Sequence, residues 1–415
     1  MSNTYFTQVL DEPYHLGNGE FLSVITNGKA RHEGEESRDF NKDAGARAGL
    51  LRVNADETTF VDFFDKSDNG DRYRGIAVVG NTAYVMRTQK DKVDSTIRVA
   101  SIDLTTNEVT MIEEKGVTVH GSETPKTFCG HFNFGRPITV GTKVIWPPVM
   151  SGMIIVFDTV ANTFTVHETG EKFASIHSVY VELLNEVVFF PYGKTTDMLL
   201  TLDMTTNTIK THTAPTKGAF YHVNTNGDKA VGAPLIMDET TEFNFWVYDG
   251  VDVKSVAYNS SSTDDMGGQM GFKYGTMNGS TLVTHTCWEG SKAFVSLNLD
   301  TLAIDSFETN ESLGSKPVIN DGDIYLFPSI QNPTMVNPTT KVFKVEGMLL
   351  KEVMDLGTAN ITSGSINDTD SVTMLAPYKF DLSDAGLGGD MAIVDLDAKT
   401  SKLLPVNLSL ETYNS

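Results

Sequence analysis

Residues 99–110 read VASIDLTTNEVT, and residues 199–210 read LLTLDMTTNTIK. Both alternate apolar and polar positions up to an aspartate, break into a short polar run that ends Thr–Asn, and then alternate again. A period of two is the pattern of a strand with one buried face, so each stretch predicts strand, tight turn, strand. An Asp or Asn at the start of the turn can bond the backbone two residues on, and the Thr, Asn and Gly that follow tolerate turn geometry. The same phrase runs along the whole chain. Its polar turn residue falls at Asn54, Asp103, Asp158, Asp203, Asp249, Asn298, Glu346 and Asp395, at spacings of 45 to 55 residues. Upstream lies a second pair of alternating runs, as in RGIAVVGNTAYVMRT (74–88), FYHVNTNGDKAVGAPLI (220–236) and KPVINDGDIYLFPS (316–329). There Gly-Asn, Asn-Gly or Asp-Gly joins the runs, a strong local signal for a hairpin.

Each unit of roughly 49 residues is therefore read as four antiparallel strands, A to D. A lone four-stranded sheet cannot bury both of its faces. Units of this length stacked around an axis cover one another, which is the arrangement of a β-propeller. The expected fold is all-β, a single propeller domain over 1–415. Its repeats fall at roughly 14–66, 72–114, 128–169, 174–213, 219–258, 268–309, 315–356 and 362–408. The alternatives are seven blades plus an accessory hairpin, an open solenoid, or two sandwiches. A ring needs closure, because an open one leaves strand edges unpaired. Residues 1–13, with TYFTQVL at 4–10, and the end of the chain near 402–410 are the two candidate closing segments.

In such a blade the A–B and C–D turns share one face of the disc. These turns are short here. The long segments fall on the opposite face: 28–48, 328–340 and 377–390 between B and C, and 115–127 and 259–269 between D and A. Long loops on a rigid scaffold are where binding usually resides. Phe40, Tyr378 and Phe380 are the aromatic candidates for loop contacts.

The net charge of −22 repels nucleic-acid backbones and anionic membranes. Forty per cent apolar residues suffice for a core, and the abundance of Gly with Thr- and Asn-rich turns agrees with β structure. The first residues show no basic start and no long apolar run, so neither a signal peptide nor a membrane span is expected. Two cysteines make no disulfide framework. Cys287 is read as lying in strand B of the sixth unit and Cys129 at the start of strand A in the third, nearly opposite on the ring, as two separate thiols.

Candidate chemistry collects where the A strands begin, on the long-loop side of the channel. His131, His177 and His222 are spaced 46 and 45 residues apart and fall in register in three successive units. His15 holds a comparable place in the first, and Arg74, Met270 and Lys316 hold it elsewhere. Converging imidazoles can bind a transition metal, whereas Arg74 and Lys316 at the same mouth favour an anion. The candidate binding set is therefore His131, His177, His222, Arg74 and Lys316, with the metal question open and no cofactor called for. Acidic turns at 67–71, 367–371 and 381–390 offer oxygens for Ca²⁺ without the EF-hand spacing. Cys129 beside His131 offers a thiol–imidazole pair. Phosphate-binding glycine loops, a nucleophile elbow and paired CxxC motifs do not occur.

The blade phrase resembles the outer hairpin of kelch-like propellers. It lacks the Gly-Gly doublet and Tyr/Trp pair of kelch repeats, and the Gly-His and Trp-Asp of WD40 repeats. The Thr/Asn/Gly-rich turns, acidic balance, few cysteines and 16 methionines also give the chain the look of a bacteriophage structural protein. That resemblance implies a non-catalytic binding or assembly module located in a virion, as a tail or head appendage. Its partners would be other virion proteins or a host surface glycan, and it could form a homo-oligomer through assembly. The alternative is a cytoplasmic propeller enzyme, a lyase or hydrolase, with its site at the channel mouth. Fold alone does not decide between these.

Overall fold

The structure is a computed structural model. It describes residues 5–9, 14–17, 19–29, 48–54, 58–62, 72–88, 94–119, 134–149, 151–169, 173–193, 195–235, 242–258, 271–286, 293–309, 311, 313, 316–328, 339–357, 363–366, 372–376, 380–381 and 390–405. Every element among them is a β-strand.

The strands form eight antiparallel sheets in chain order, each with four strands of its own, and the first carries two more, Tyr5–Val9 and Phe380–Asp381. Sheet 4 is representative: Ser178–Val181, Glu186–Phe189, Thr196–Asp203 and Thr208–Gly218, from the innermost strand outwards. The inner strands of successive sheets lie side by side from sheet 2 to sheet 8. Sheets 1 and 2 meet through Glu20–Lys29 and Arg72–Val79, and the inner strand of sheet 8, Ser363–Ile366, meets that of sheet 1, Tyr14–Gly17. The result is a closed ring, an eight-bladed β-propeller.

The core is distributed between the sheets. Leu22, Val24, Leu50 and Val61 of sheet 1 pack on Ile76, Ala83, Val85, Ala100 and Ile102 of sheet 2, and each later pair of neighbours, through sheets 7 and 8, has its own apolar cluster. A middle strand therefore has a neighbour on both faces and loses its alternation. Met153–Phe157 and Asn244–Tyr248 are buried at every position, whereas the outer strand Thr163–Glu168 alternates exposed and half-buried residues. A strand enclosed on both faces gains from apolar residues throughout.

The repeated phrase is the hairpin between third and fourth strands. Asp103 Oδ1 accepts the amides of Thr105 and Thr106 at 2.7 and 3.0 Å. Asp158, Asp203, Asp249 and Asn298 do the same in sheets 3 to 6. The residue after the anchor then donates its amide to the first turn of the same sheet: Leu104 to Asn81, Thr159 to Thr142, Met204 to Asn185 and Leu299 to Ser280, at 2.9–3.0 Å. Both turns are thereby held together on one face of the disc.

That face is also laced from sheet to sheet. Arg52 Nη1 donates to the Leu104 carbonyl and Asn107 Oδ1, His167 Nε2 meets Asn207 Oδ1, and Leu183 N donates to the Gly227 carbonyl. Lys229 Nζ reaches the Leu299 carbonyl and Asp300, Asn278 Nδ2 the Gly322 carbonyl, and Asn320 Nδ2 Asp397. Thr139 Oγ1 donating to the Val78 carbonyl joins sheets 2 and 3.

The join between first and last sheets uses the start of the chain. Tyr5–Val9 pairs antiparallel with residues 25–29 of sheet 1 and, on its other edge, with Phe380–Asp381, which lies between the second and third strands of sheet 8. Thr400–Pro405 is the outer strand of sheet 8 and pairs with Asp390–Asp395. Cys129 and Cys287 lie outside the described residues. The second strand of sheet 6 runs Thr281–Thr286, so Cys287 follows its last residue.

Candidate functional site at the channel mouth

The inner strands begin on the long-loop side, and their approach segments are fastened to one another by main-chain hydrogen bonds. Arg136 N donates to the Ile176 carbonyl, Ser175 N to Pro148, Tyr192 N to Ala174, Phe220 N to Pro191 and Leu235 N to Ala219. Gly135 allows the closest of these approaches, because a Cβ there would stand 2.2 Å from the Ile176 carbonyl oxygen. Behind them Val149, Ile176, Tyr192 and Leu235 form a small buried cluster with Tyr221 packed on it.

His177 and His222 come together on this frame. Their rings lie 5.0 Å apart, close to edge-on, and both are buried. His177 Nδ1 lies 2.5 Å from the Tyr221 carbonyl oxygen, which fixes that nitrogen as the donor and leaves Nε2 as the acceptor in the neutral ring. The His177 carbonyl accepts from Ser175 Oγ at 2.8 Å. Asn224 Nδ2 stands 3.3 Å from His222 Nδ1. Three tyrosines complete the cluster: Tyr221 is 5.2 Å from the His177 ring, 5.6 Å from Tyr192 and 6.0 Å from Tyr274, and Tyr274 is 6.0 Å from His222. Such edge-on contacts are favourable beyond simple burial.

The other expected site residues are placed less closely. Lys316 is half-buried, two residues before Val318–Asn320, the inner strand of sheet 7. Arg74 lies in Arg72–Val79, the inner strand of sheet 2, opposite Met86. His15 lies in the inner strand of sheet 1, where Nδ1 accepts the Gly17 amide at 3.0 Å and the ring meets Phe21 edge-on. Phe380 sits in the two-residue strand opposite Thr7. His131, Met270, Phe40 and Tyr378 lie outside the described residues, as do the acidic turns 67–71 and 367–371. Among the described residues no group of three or more His, Cys, Asp or Glu is placed to hold a metal ion.

Spacing alone leaves Tyr274 unmarked, although its ring lies beside His222. The inner strand of sheet 6 carries a register shift between Phe272 and Tyr274, and that of sheet 5 another between Phe220 and Val223. A bulge adds a residue to one strand and re-aims the side chains beside it, which a fixed period does not show. Arg136 was missed for a similar reason, since it precedes its strand. Its charge reaches Tyr14 on sheet 1, where burial raises the phenol's pKa and the guanidinium partly offsets that rise. The sequence signal available was Tyr-His at 221–222, an aromatic next to an imidazole at a strand start.

No protein-family model matches the sequence, and no match is found among curated proteins. Two solved structures are similar over most of the chain. The propeller domain of the trilobed protease from Pyrococcus furiosus superposes with a TM-score of 0.46 at 12% identity, over 86% of this chain and 99% of that one. An acylaminoacyl peptidase bound to Z-Gly-Gly-Phe-chloromethyl ketone gives 0.46 at 10% identity, over 90% of this chain and 58% of that one. Neither likeness carries an argument, and what the chain itself establishes is an all-β ring of eight four-stranded antiparallel blades with an aromatic and imidazole cluster at one mouth of its channel.

Proposed function

We propose that the chain is a non-catalytic propeller, a binding and assembly module of a bacteriophage virion in its tail or a head appendage. Its long-loop face meets a neighbouring virion subunit or a host surface glycan. The observation that carries this reading is the mouth cluster: Tyr221 keeps a half-buried aromatic ring there, beside the buried His177, His222, Asn224 and Tyr274. Sugar rings stack on aromatic faces while their hydroxyls need donors and acceptors at fixed positions, and an aromatic ring set beside polar groups suits them. The virion setting rests on the resemblance in composition. The test is binding of purified protein to host-cell polysaccharide. Tyr221→Ala, and a graft of short turns in place of 30–47 and 382–389 that spares the flanking strands, should each abolish it while the β-sheet circular dichroism stays unchanged. Full binding by both variants rejects the reading.

A second reading is favoured by one contact, the His177–His222 ring pair at 5.0 Å. It makes the chain a propeller enzyme, a lyase or hydrolase working at the same mouth. Elemental analysis discriminates: stoichiometric iron, zinc or manganese that is lost in His177→Ala supports the enzyme.

A further inference from the structure

The opposite face carries an independent signal. The strongly exposed large apolar side chains of the described residues concentrate on the short turns: Val160, Leu183, Val251, Met348 and Leu349 are 64 to 79% exposed. Val160, Leu183 and Val251 belong to three successive sheets, 3, 4 and 5. Two of these tips are adjacent, because Leu183 N bonds the Gly227 carbonyl and the Leu184 side chain packs on Gly250, which precedes Val251. Soluble surfaces scatter such residues singly, whereas a group on one face marks an interaction surface.

Around these tips the turns are acidic. Glu182, Asp228, Asp252, Asp321 and Asp397 are exposed there, and in the described turn segments of this face only Lys229 and Lys399 are basic. Lys229 is already paired with Asp300 at 2.6 Å. The face is rigid as well, since the lacing from sheet to sheet fixes its turns before any partner arrives, which lowers the ordering cost of binding. Like charge on two such faces opposes self-association through them, and it repels polyanions.

We propose that the short-turn face is a docking surface for a positively charged protein surface that presents apolar side chains of its own. The apolar tips supply the dry centre of the contact and the carboxylates supply its rim and steering. This surface is separate from the mouth cluster, and its failure would leave the long-loop reading untouched.

The probe is a synthetic amphipathic helix of lysine and leucine, with an equally charged lysine–serine peptide as control. The expected result is tighter binding of the leucine peptide, with protection from hydrogen exchange at 158–162, 182–185 and 249–252. The neutral triple variant Val160→Ser, Leu183→Ser, Val251→Ser should weaken that binding about tenfold at unchanged Tm, since three exposed contacts are removed without altering charge. Asp228→Lys with Asp252→Lys should weaken it by a similar factor at low salt only. Equal binding of both peptides, unchanged affinity of the triple variant, protection on the long-loop face, or a dimer broken by Leu183→Ser would each overturn the proposal.

Discussion

Asn107, Asn162 and Asn207 hold φ of 60°, 53° and 55° four residues after the turn's anchoring aspartate, and Leu302 and Lys399 hold 60° and 53° in the same slot. This left-handed conformation disfavours side chains with a Cβ, and asparagine is among the residues that tolerate it best. Asn162→Ala should therefore lower stability by about 1 kcal/mol and Lys399→Asn raise it by a few tenths or more, read from chemical denaturation. An unchanged midpoint in both would refute the shared-slot account. The anchors give a pH prediction. The Thr106 and Thr105 amides hold the Asp103 carboxyl below its usual value, and the Ala161 and Thr206 amides lead the same effect on Asp158 and Asp203. At Asp249 burial works upward, but the Asp252 amide, the Lys254 ammonium and the Val251 amide outweigh it and bring the carboxyl down to about 2. Folded values below the unfolded value of about 3.9 mean that this stability is present above pH 4 and drains away as pH falls towards 2. Tm should drop across that window, and less steeply in Asp203→Asn, because Asn298 shows that an amide oxygen accepts the same two amides. At this scale the sequence was plainly legible: Asp-x-x-Thr-Asn states its own turn. Leu302 and Lys399 were not, since nothing local marks them as left-handed.

Between elements the least legible feature is the polar contact buried between sheets 4 and 5. Glu186 accepts from Tyr248 Oη at 2.8 Å and from Lys210 at 3.2 Å, and Tyr248 lies 4.9 Å from the His212 ring. Burial raises the Tyr248 pKa and the Glu186 carboxylate adds to it, so the phenol remains a donor across the working pH range. Tyr248→Phe would leave a buried carboxylate with one donor fewer, at a cost of about 1–3 kcal/mol. Calorimetry showing Tyr248→Phe to be neutral would mean that water replaces the hydroxyl there. Short apolar runs mark both strands, but Tyr248 looks like an ordinary core aromatic in FWVYDG, and its partner lies 62 residues away. Pairwise contacts of that range depend on how neighbouring blades are offset, and period counting does not carry the offset. Period counting likewise groups His177 with His222 but marks neither Tyr274 nor Arg136, which precedes its strand.

For the whole molecule, the count of blades follows from the repeat, but the manner of closure does not, because two segments were equally suited to it. Sheets 1 through 8 are joined at successive interfaces by apolar clusters, and the join between 8 and 1 adds main-chain pairing of Tyr5–Val9 to both partners. A ring differs from a stack in that every sheet depends on two neighbours, so opening one join exposes two faces. Deleting residues 1–10 removes that strand's pairing with residues 25–29 and with Phe380–Asp381 and bares the edges it covered. Sheets 3 to 5 keep their own interfaces and should hold their protection. Hydrogen exchange should therefore accelerate selectively in 25–29 and 380–381, at amides far from the deletion in sequence in the second case. Uniform acceleration around the ring would show that closure is a global constraint on all blades, and no acceleration at 380–381 would show that the inner-strand contact of sheets 1 and 8 closes the ring without the terminal strand.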